Sequence, residues 1–497
     1  MQLLACGSNA RGQLGTNDTV DKNVFTPCYF HYLTPSFPPT ITSIVSAVFG
    51  ANHTVLVCEN ANVIPPLRHI WGSGDGTSGQ LGAGIHTQVR RFRKLEIPDR
   101  APRKQYANEG DIVHIGACWA TTYIVYRPDP IKLSRNSTQS DVFVSFGADS
   151  FGELGARPSA AATASFANAI LATGLIPSST PPVFRIERLA TGPHHVIVIL
   201  HFPLIDGSIR EIIVGWGASR HGQLELHEHV EIGATQTASS ASLIPTDRPA
   251  RRSNGTTGYI STPTHLYTVP EDEKVVSIAL GHQHSVILIQ AKDGSTKVCC
   301  GGSNRKAQLR FSSEITNIPL RSVDCTWNGT YFETGSKPTD SGEAVFSILA
   351  TGSDKMGQLG RGVSRAIVPV PSATASPNIP VASTSTSASL LDGDHRVLFP
   401  PSVRNARLDS FACGSEHVVA TLCHERGDLA AIDNIEREAW GWGWNEHGNL
   451  GLGHVEDVPA PTRVWPPPTN TNTNSQVLEG RLKKAWAGNG TTLLLIE

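Results

Sequence analysis

Several groups of residues in this 497-residue chain have types and spacings that chemistry could use. Gly74-Asp75-Gly76-Thr77-Ser78-Gly79 spells the G-x-G-x-x-G of a dinucleotide site, but such a site needs a helix directly behind the glycines to hold the pyrophosphate. No helix pattern follows, so no cofactor is expected. His53, His195, His284 and His417 could supply imidazoles to a metal. Each occupies the same position of a repeated segment, which predicts a structural ring hydrogen-bonded between strands, and no metal site. His227-Glu228-His229 has no third ligand in sight and reads as a surface loop. The nine cysteines are an odd set without a C-x-x-C pair, and Cys299 and Cys300 are too close in sequence for an ordinary disulfide. Reduced, packed thiols are expected. No nucleophile, base and orienting group stand out together, so the catalytic set is empty and an enzyme is the least expected class.

The elements that position these residues form an internal repeat. A Gly-rich turn occurs seven times, around Gly12, Gly79, Gly152, Gly222, Ala307, Gly357 and Gly448, as in Cys6-Gly7-Ser8-Asn9-Ala10-Arg11-Gly12-Gln13-Leu14-Gly15. Each turn is answered later by an apolar strand, a Gly, two free residues, a His, a Ser or Thr, and another apolar strand. The clearest answer is Val276-Ser277-Ile278-Ala279-Leu280-Gly281-His282-Gln283-His284-Ser285-Val286-Ile287-Leu288. Short apolar runs between Gly and polar turn residues read as strands. Gly supplies the positive φ of tight reversals, the Gln or Asn between the glycines bonds the turn backbone, and Leu14 and its equivalents pin the turn to the core. One unit cannot cover both of its faces, so the units must stack, and a ring leaves the fewest open edges. The chain begins in the first turn's strand and ends in the last answer's strand, which lets the termini close the ring.

The reading is an all-β, seven-bladed propeller over 1–497, with low-complexity insertions at about 157–183, 233–264, 363–400 and 456–477 forming long, mobile rim loops. The fifth copy has Ala307 for the turn Gly, and its answer, Cys325-Thr326-Trp327-Asn328-Gly329-Thr330-Tyr331, lacks Gly and His at their places. The fifth blade should therefore be the least regular. Trp71, Trp216 and Trp442 precede the first Gly of their turns and read as core. Trp440, Trp442 and Trp444 alternate along a strand and form either a packed ladder or an aromatic patch.

The two free residues of each answer project onto one rim, and Asn52, Trp119, His194, His282, Trp327, Asn328, Glu416 and Asn489 there are the candidates for binding a partner. Trp119 and Trp327 are either interface anchors or caps folded over a neighbouring blade. Formal net charge is −2, and neither end carries a cluster of Lys or Arg, so direct nucleic-acid binding is not expected. No segment reads as an export signal or a membrane span, which predicts a cytoplasmic or nuclear protein with no membrane partner.

The paired turn and answer motifs resemble the regulator-of-chromosome-condensation repeat, the unit of a seven-bladed propeller family, over nearly the whole chain. The opening Ala5-Cys6-Gly7-Ser8-Asn9 and the late Gly441-Trp442-Gly443-Trp444-Asn445-Glu446-His447-Gly448 resemble most closely the fungal alpha-tubulin suppressor, or killer-toxin-insensitivity, members. That resemblance implies a regulatory, non-catalytic partner of a small zinc-containing electron carrier serving diphthamide synthesis and Elongator-dependent modification of tRNA wobble uridines. The founding member of the family implies an alternative, nucleotide exchange on a small GTPase such as Ran, through acidic and His residues of the same rim. Here that rim supplies Glu416, His194 and His282.

Overall fold

The structure is a computed structural model, and it describes all residues except 32–35, 98–109, 129–139, 157–161, 164, 177–181, 205, 229–257, 313–314, 316–317, 336, 339–343, 363–394, 404, 425–435 and 468–479. Most of the insertions at 233–264 and 363–400, and parts of those at 157–183 and 456–477, lie outside the described residues.

Seven antiparallel sheets follow one another around an axis. The first blade is Ser43–Phe49, His53–Asn60, Leu67–Gly74 and Val89–Lys94, from the axis outward. The inner strands of the next five begin at Gly110, Arg185, Glu273, Leu320 and Arg407. The seventh blade joins the ends of the chain: Leu482–Ala487 and Thr491–Ile496 pair with Gln2–Gly7 and Lys22–Pro27. In that sheet Gln2 lies opposite Ile496 and Gly7 opposite Thr491, so the ring is closed by backbone hydrogen bonds between the two ends.

The second strand of each blade is apolar on both faces because a blade lies on either side of it. In His195–Pro203, Val196, Val198 and Leu200 pack toward the second blade, while Ile197 and Ile199 pack toward the fourth. The seven apolar clusters of the core correspond to the seven interfaces between adjacent blades. Stability is therefore shared by neighbours around the ring, as in other stacked repeats.

Turn and answer meet in one joint, made seven times. The residue after a Gly of the turn (Gly7, Gly74, Gly147, Gly217, Gly302, Gly352 or Gly443; in the first blade the second Gly after Trp71, not the first) donates its N–H to the carbonyl of the residue before the answer's His position: Ser8 to Gly490, Asp75 to Asn52, Ala148 to Ala120, Ala218 to His194, Ser303 to Gln283, Ser353 to Asn328 and Trp444 to Glu416. At each joint the Gly has φ between +98° and +126°, and a Cβ there would sit 2.1–2.5 Å from that carbonyl oxygen. Only Gly fits on both counts. Gly217→Ala is thus expected to cost about 3 kcal/mol, from the disfavoured φ and the clash. Gly79→Ala, at φ +83° with open space around it, should cost about 1 kcal/mol. Urea midpoints compare the two, and equal losses would remove the steric argument.

The joint also reveals the phase of the repeat. A turn shares its sheet with the preceding answer, so each copy as read along the sequence straddles two blades. The irregularities of the fifth copy are consequently divided. Its turn, where Ala307 adopts φ +61°, closes the fourth blade. Its answer opens the fifth, which among the described residues has three strands, Leu320–Thr326, Gly329–Thr334 and Ile348–Gly352. The fourth blade also departs from the pattern: its outer strand, His227–Glu228, comes from the turn of the third blade and pairs with Cys299 and Cys300. The expected surface loop at His227-Glu228 is thus a bridging strand. Glu228 is fixed there by Lys297 Nζ at 2.7 Å and by the Tyr267 hydroxyl at 2.9 Å.

Three of the insertions hold packed elements. Ala167–Leu171 is a short helix whose Ile170 sits in the core beside Phe166 and Trp216, Tyr259–Thr268 is the outer strand of the third blade, and Val458–Trp465 that of the sixth. Low-complexity composition hides such elements because a few apolar side chains are enough to dock them. No helix among the described residues is long and apolar enough to cross a membrane.

Candidate functional site

Turns between the first and second strands, and between the third and fourth, end on the same face of an antiparallel blade, so both motifs line one face of the ring. In the turns, the Gln side chain accepts the N–H two residues before it, as in Arg11 to Gln13 and Ser78 to Gln80, both 2.9 Å. The Leu N–H is held by the preceding Asn or Asp, as in Leu14 to Asn9 at 3.1 Å and Leu359 to Asp354 at 3.0 Å. Gly12, Gly79, Gly152, Gly222, Gly357 and Gly448 all have φ between +71° and +83°, which explains their place in the repeat.

The four repeat histidines join blade to blade. His53, His195, His284 and His417 place Nε2 3.0–3.2 Å from the hydroxyls of Thr122, Ser285, Thr330 and Thr492, each in the next blade. Each hydroxyl donates onward to the backbone carbonyl of the turn Gln or Asn: Gln80, Gln223, Gln308 and Asn449. All four rings are fully buried, and desolvation pushes their pKa down to about 4, 3, 3 and 4 respectively. They are neutral interface latches, and among the described residues no group of His, Cys, Asp and Glu could hold a metal.

Three answers lack the His, with Thr121, Gly329 and Thr491 in its place, and the first two solve the same problem differently. Cys118-Trp119-Ala120-Thr121-Thr122-Tyr123 and Thr326-Trp327-Asn328-Gly329-Thr330-Tyr331 share a Trp and a Tyr four residues apart. The two Tyr hydroxyls donate to the turn carbonyls of Glu153 at 2.9 Å and Gln358 at 2.7 Å. Trp216 and Trp442, both fully buried, donate Nε1–H to the same two carbonyls. The residue that would face the missing His is correspondingly apolar, Val196 or Val418. This second form of the answer was present in the sequence and was missed there.

The second form also brings the two candidate tryptophans together. Trp119 belongs to the second blade and Trp327 to the fifth, across the axis, yet their ring centroids are 6.0 Å apart. Trp119 stacks on His194 at 5.6 Å, Trp327 lies 5.6 Å from His282, and Phe151 packs edge-on to His194 at 4.7 Å. Both backbones are held on two sides: Trp119 donates to Pro193 and accepts from Ala51, and Trp327 donates to Ser415 and accepts from His282. Beneath them lies an axial cavity of about 200 Å³, walled by inner strands of all seven blades, with Phe49, Cys118, Gly192, Leu280, Trp327, Gly414 and Gly488 among its residues. Trp119 is 40% exposed and Phe151 41%, so an aromatic surface faces solvent over this mouth.

The other candidates separate from this cluster. Glu416 is only 8% exposed, with Gln358 Nε2 at 2.9 Å and Asn328 Nδ2 bonded to its two oxygens, and burial raises its pKa. Asn489 reaches the Phe49 carbonyl at 3.4 Å and Asn52 is half-buried; neither touches the aromatic rings in a described contact. Glu153, which stands where the other turns carry Gln or Asn, uses its extra oxygen to hold His194 Nδ1 at 2.9 Å. That carboxylate was not singled out from sequence. Trp440 and Trp442 form a buried ladder, and Trp444 leaves it, half-buried against His447. All nine cysteines are free, and burial raises the Cys118 thiol well above its ordinary value.

The joints, latches and closure define the class: a seven-bladed β-propeller. The profile of the regulator of chromosome condensation (RCC1) repeat matches residues 2–57 and 438–495, the segments flanking the closed seam. No curated protein matches the chain in sequence. Among solved structures, human WBSCR16 superposes with a TM-score of 0.56 at 16% identity, covering 100% of this chain and 98% of that one, a likeness of fold. The β-propeller domain of the Trilobed protease from Pyrococcus furiosus gives a TM-score of 0.29 at 7% identity, covering 88% of this chain and 100% of its own.

Proposed function

We propose that the chain is a non-catalytic platform that docks a protein partner on the aromatic mouth of the propeller. The observation that carries this reading is the meeting of Trp119 and Trp327 over the axial cavity, with one ring exposed and both backbones bonded on either side. Aromatic anchors held in place before binding lose little entropy when a partner covers them. The partner proposed is a small zinc-containing electron carrier of diphthamide synthesis and Elongator-dependent tRNA modification. This finer step rests on the resemblance of the opening and late turns to the alpha-tubulin suppressor proteins.

Binding of such a purified carrier to the immobilised full chain tests both steps. Trp119→Ala should weaken it by about 30- to 150-fold, the loss of an anchor of about 2–3 kcal/mol. No binding to the unaltered chain would remove the partner, and equal binding by Trp119→Ala would remove the site. Release of labelled GDP from Ran serves as the contrasting assay. Glu416, the acidic group an exchange mechanism would draw on, is occupied by Asn328 and Gln358. An unchanged release rate is therefore expected.

A further inference from the structure

The outer strand of the first blade reads Val89-Arg90-Arg91-Phe92-Arg93-Lys94. Val89 and Phe92 enter the core, which leaves four cationic side chains outside it. On its inner side the strand pairs with Leu67–Gly74. On its outer side it is bonded to the seventh blade: Asn17 N–H donates to the Arg90 carbonyl at 2.8 Å, Phe92 N–H to Tyr29 at 2.9 Å, and His31 N–H to Phe92 at 2.9 Å. The first blade is thus laced to the blade that closes the ring, and a groove of about 540 Å³ runs along the lacing, lined by Asn17, His31, Gln88, Arg90, Arg91 and Arg93.

Donors in this groove outnumber acceptors. Elsewhere the structure pairs its arginines with carboxylates, as at Arg68 with Glu59, Arg127 and Arg185 with Asp141, and Arg437 with Asp409. Among the described residues no carboxylate lies within ion-pair distance of Arg90, Arg91 or Arg93; Arg91 Nε donates to the neutral Asn17 amide oxygen at 2.6 Å. Gln88 Nε2, also in the groove wall, is buried without a hydrogen-bond acceptor among the described residues. Guanidinium groups are planar forks suited to carboxylate oxygens.

We propose that this groove binds an extended, carboxylate-rich peptide segment of a partner protein. Strand geometry spreads the charges from Arg90 to Arg93 over about 10 Å, further than one small anion can reach but matched by acidic side chains along an extended chain. Single-stranded nucleic acid is disfavoured because the described residues of the groove include no Trp, Tyr or Phe on which bases would stack, and the chain as a whole carries a formal charge of −2. The site shares no residue with the aromatic mouth and stands or falls separately from it.

The test is the fluorescence anisotropy of a labelled hexaglutamate peptide titrated with the full chain at low salt. Saturable binding is expected, at least tenfold weaker in Arg90→Glu/Arg93→Glu and unchanged in Lys355→Glu/Arg321→Glu, which alters net charge equally at a distant exposed place. Raising the salt should weaken binding to the unaltered chain. No saturable binding, an equal loss in both double variants, or tighter binding of a labelled hexathymidylate would each overturn the proposal.

Discussion

Lowering the pH from 7 to 5 is expected to destabilise this propeller by several kcal/mol, starting near pH 6.5. The cause is the set of buried latches, His53, His195, His284 and His417, whose pKa values fall to about 3–4 in the folded chain. Unfolded, each imidazole titrates near 6.5, so between the two values the unfolded state binds more protons. The stabilisation from keeping these rings neutral is therefore complete above pH 6.5 and is lost as the pH falls below it. At pH 5 each ring accounts for about 2 kcal/mol, from one and a half pH units at 1.36 kcal/mol each. Asp324 works the other way. It is fully buried, desolvation raises its pKa to about 6, and its preference for the protonated form returns about 1 kcal/mol over the same interval. Urea midpoints across this range measure the sum, and His195→Gln should flatten the slope by one latch's share. A midpoint constant from pH 7 to 5, or resonances assigned to these four imidazoles titrating near 6.5 in the folded protein, would refute the latch.

Trp442→Ala should cost about 4 kcal/mol, the range for removing a large, fully buried aromatic side chain. Its ring packs on Phe399 and fills the interface between the fifth and sixth blades. The hydrogen bond can be separated from the packing because the Gln358 carbonyl has two donors, Tyr331 at 2.7 Å and Trp442 at 2.9 Å. Either Trp442→Phe or Tyr331→Phe alone leaves one donor and should lose about 1 kcal/mol. Together they strand a buried carbonyl and should lose about 1–3 kcal/mol beyond the sum. Trp71→Phe is the comparison, since Trp71 Nε1 has no partner among the described residues, and it should cost less than Trp442→Phe. A strictly additive cycle would mean that the shared carbonyl does not couple the two blades.

The candidate site was legible only in part. Exposure of Trp119 follows from its place in a turn, but its contact with Trp327 does not, because the two belong to blades across the axis and nothing local encodes their meeting. Glu416 looked available in the sequence because it sits in a turn, yet its carboxylate faces Asn328 and Gln358, which are supplied by the fifth blade. The Arg90–Lys94 run could have been found as four cations within one strand pattern, although not the groove, since its opposite wall comes from residues 17 and 31.

What the sequence determined by itself was the sevenfold period, the strands, the closure of the ends and the positive φ of the turn glycines. Those features arise from local demands: a positive φ, a tight turn and strands covered on both faces restrict residue type wherever they occur. Tertiary structure alone decided the phase of blades against repeats, the donated strand at His227-Glu228, the pairing of the two tryptophans and the groove at the seam. Each depends on which surfaces ring closure brings face to face, and a repeating pattern of residue types is the same whichever neighbour it will meet.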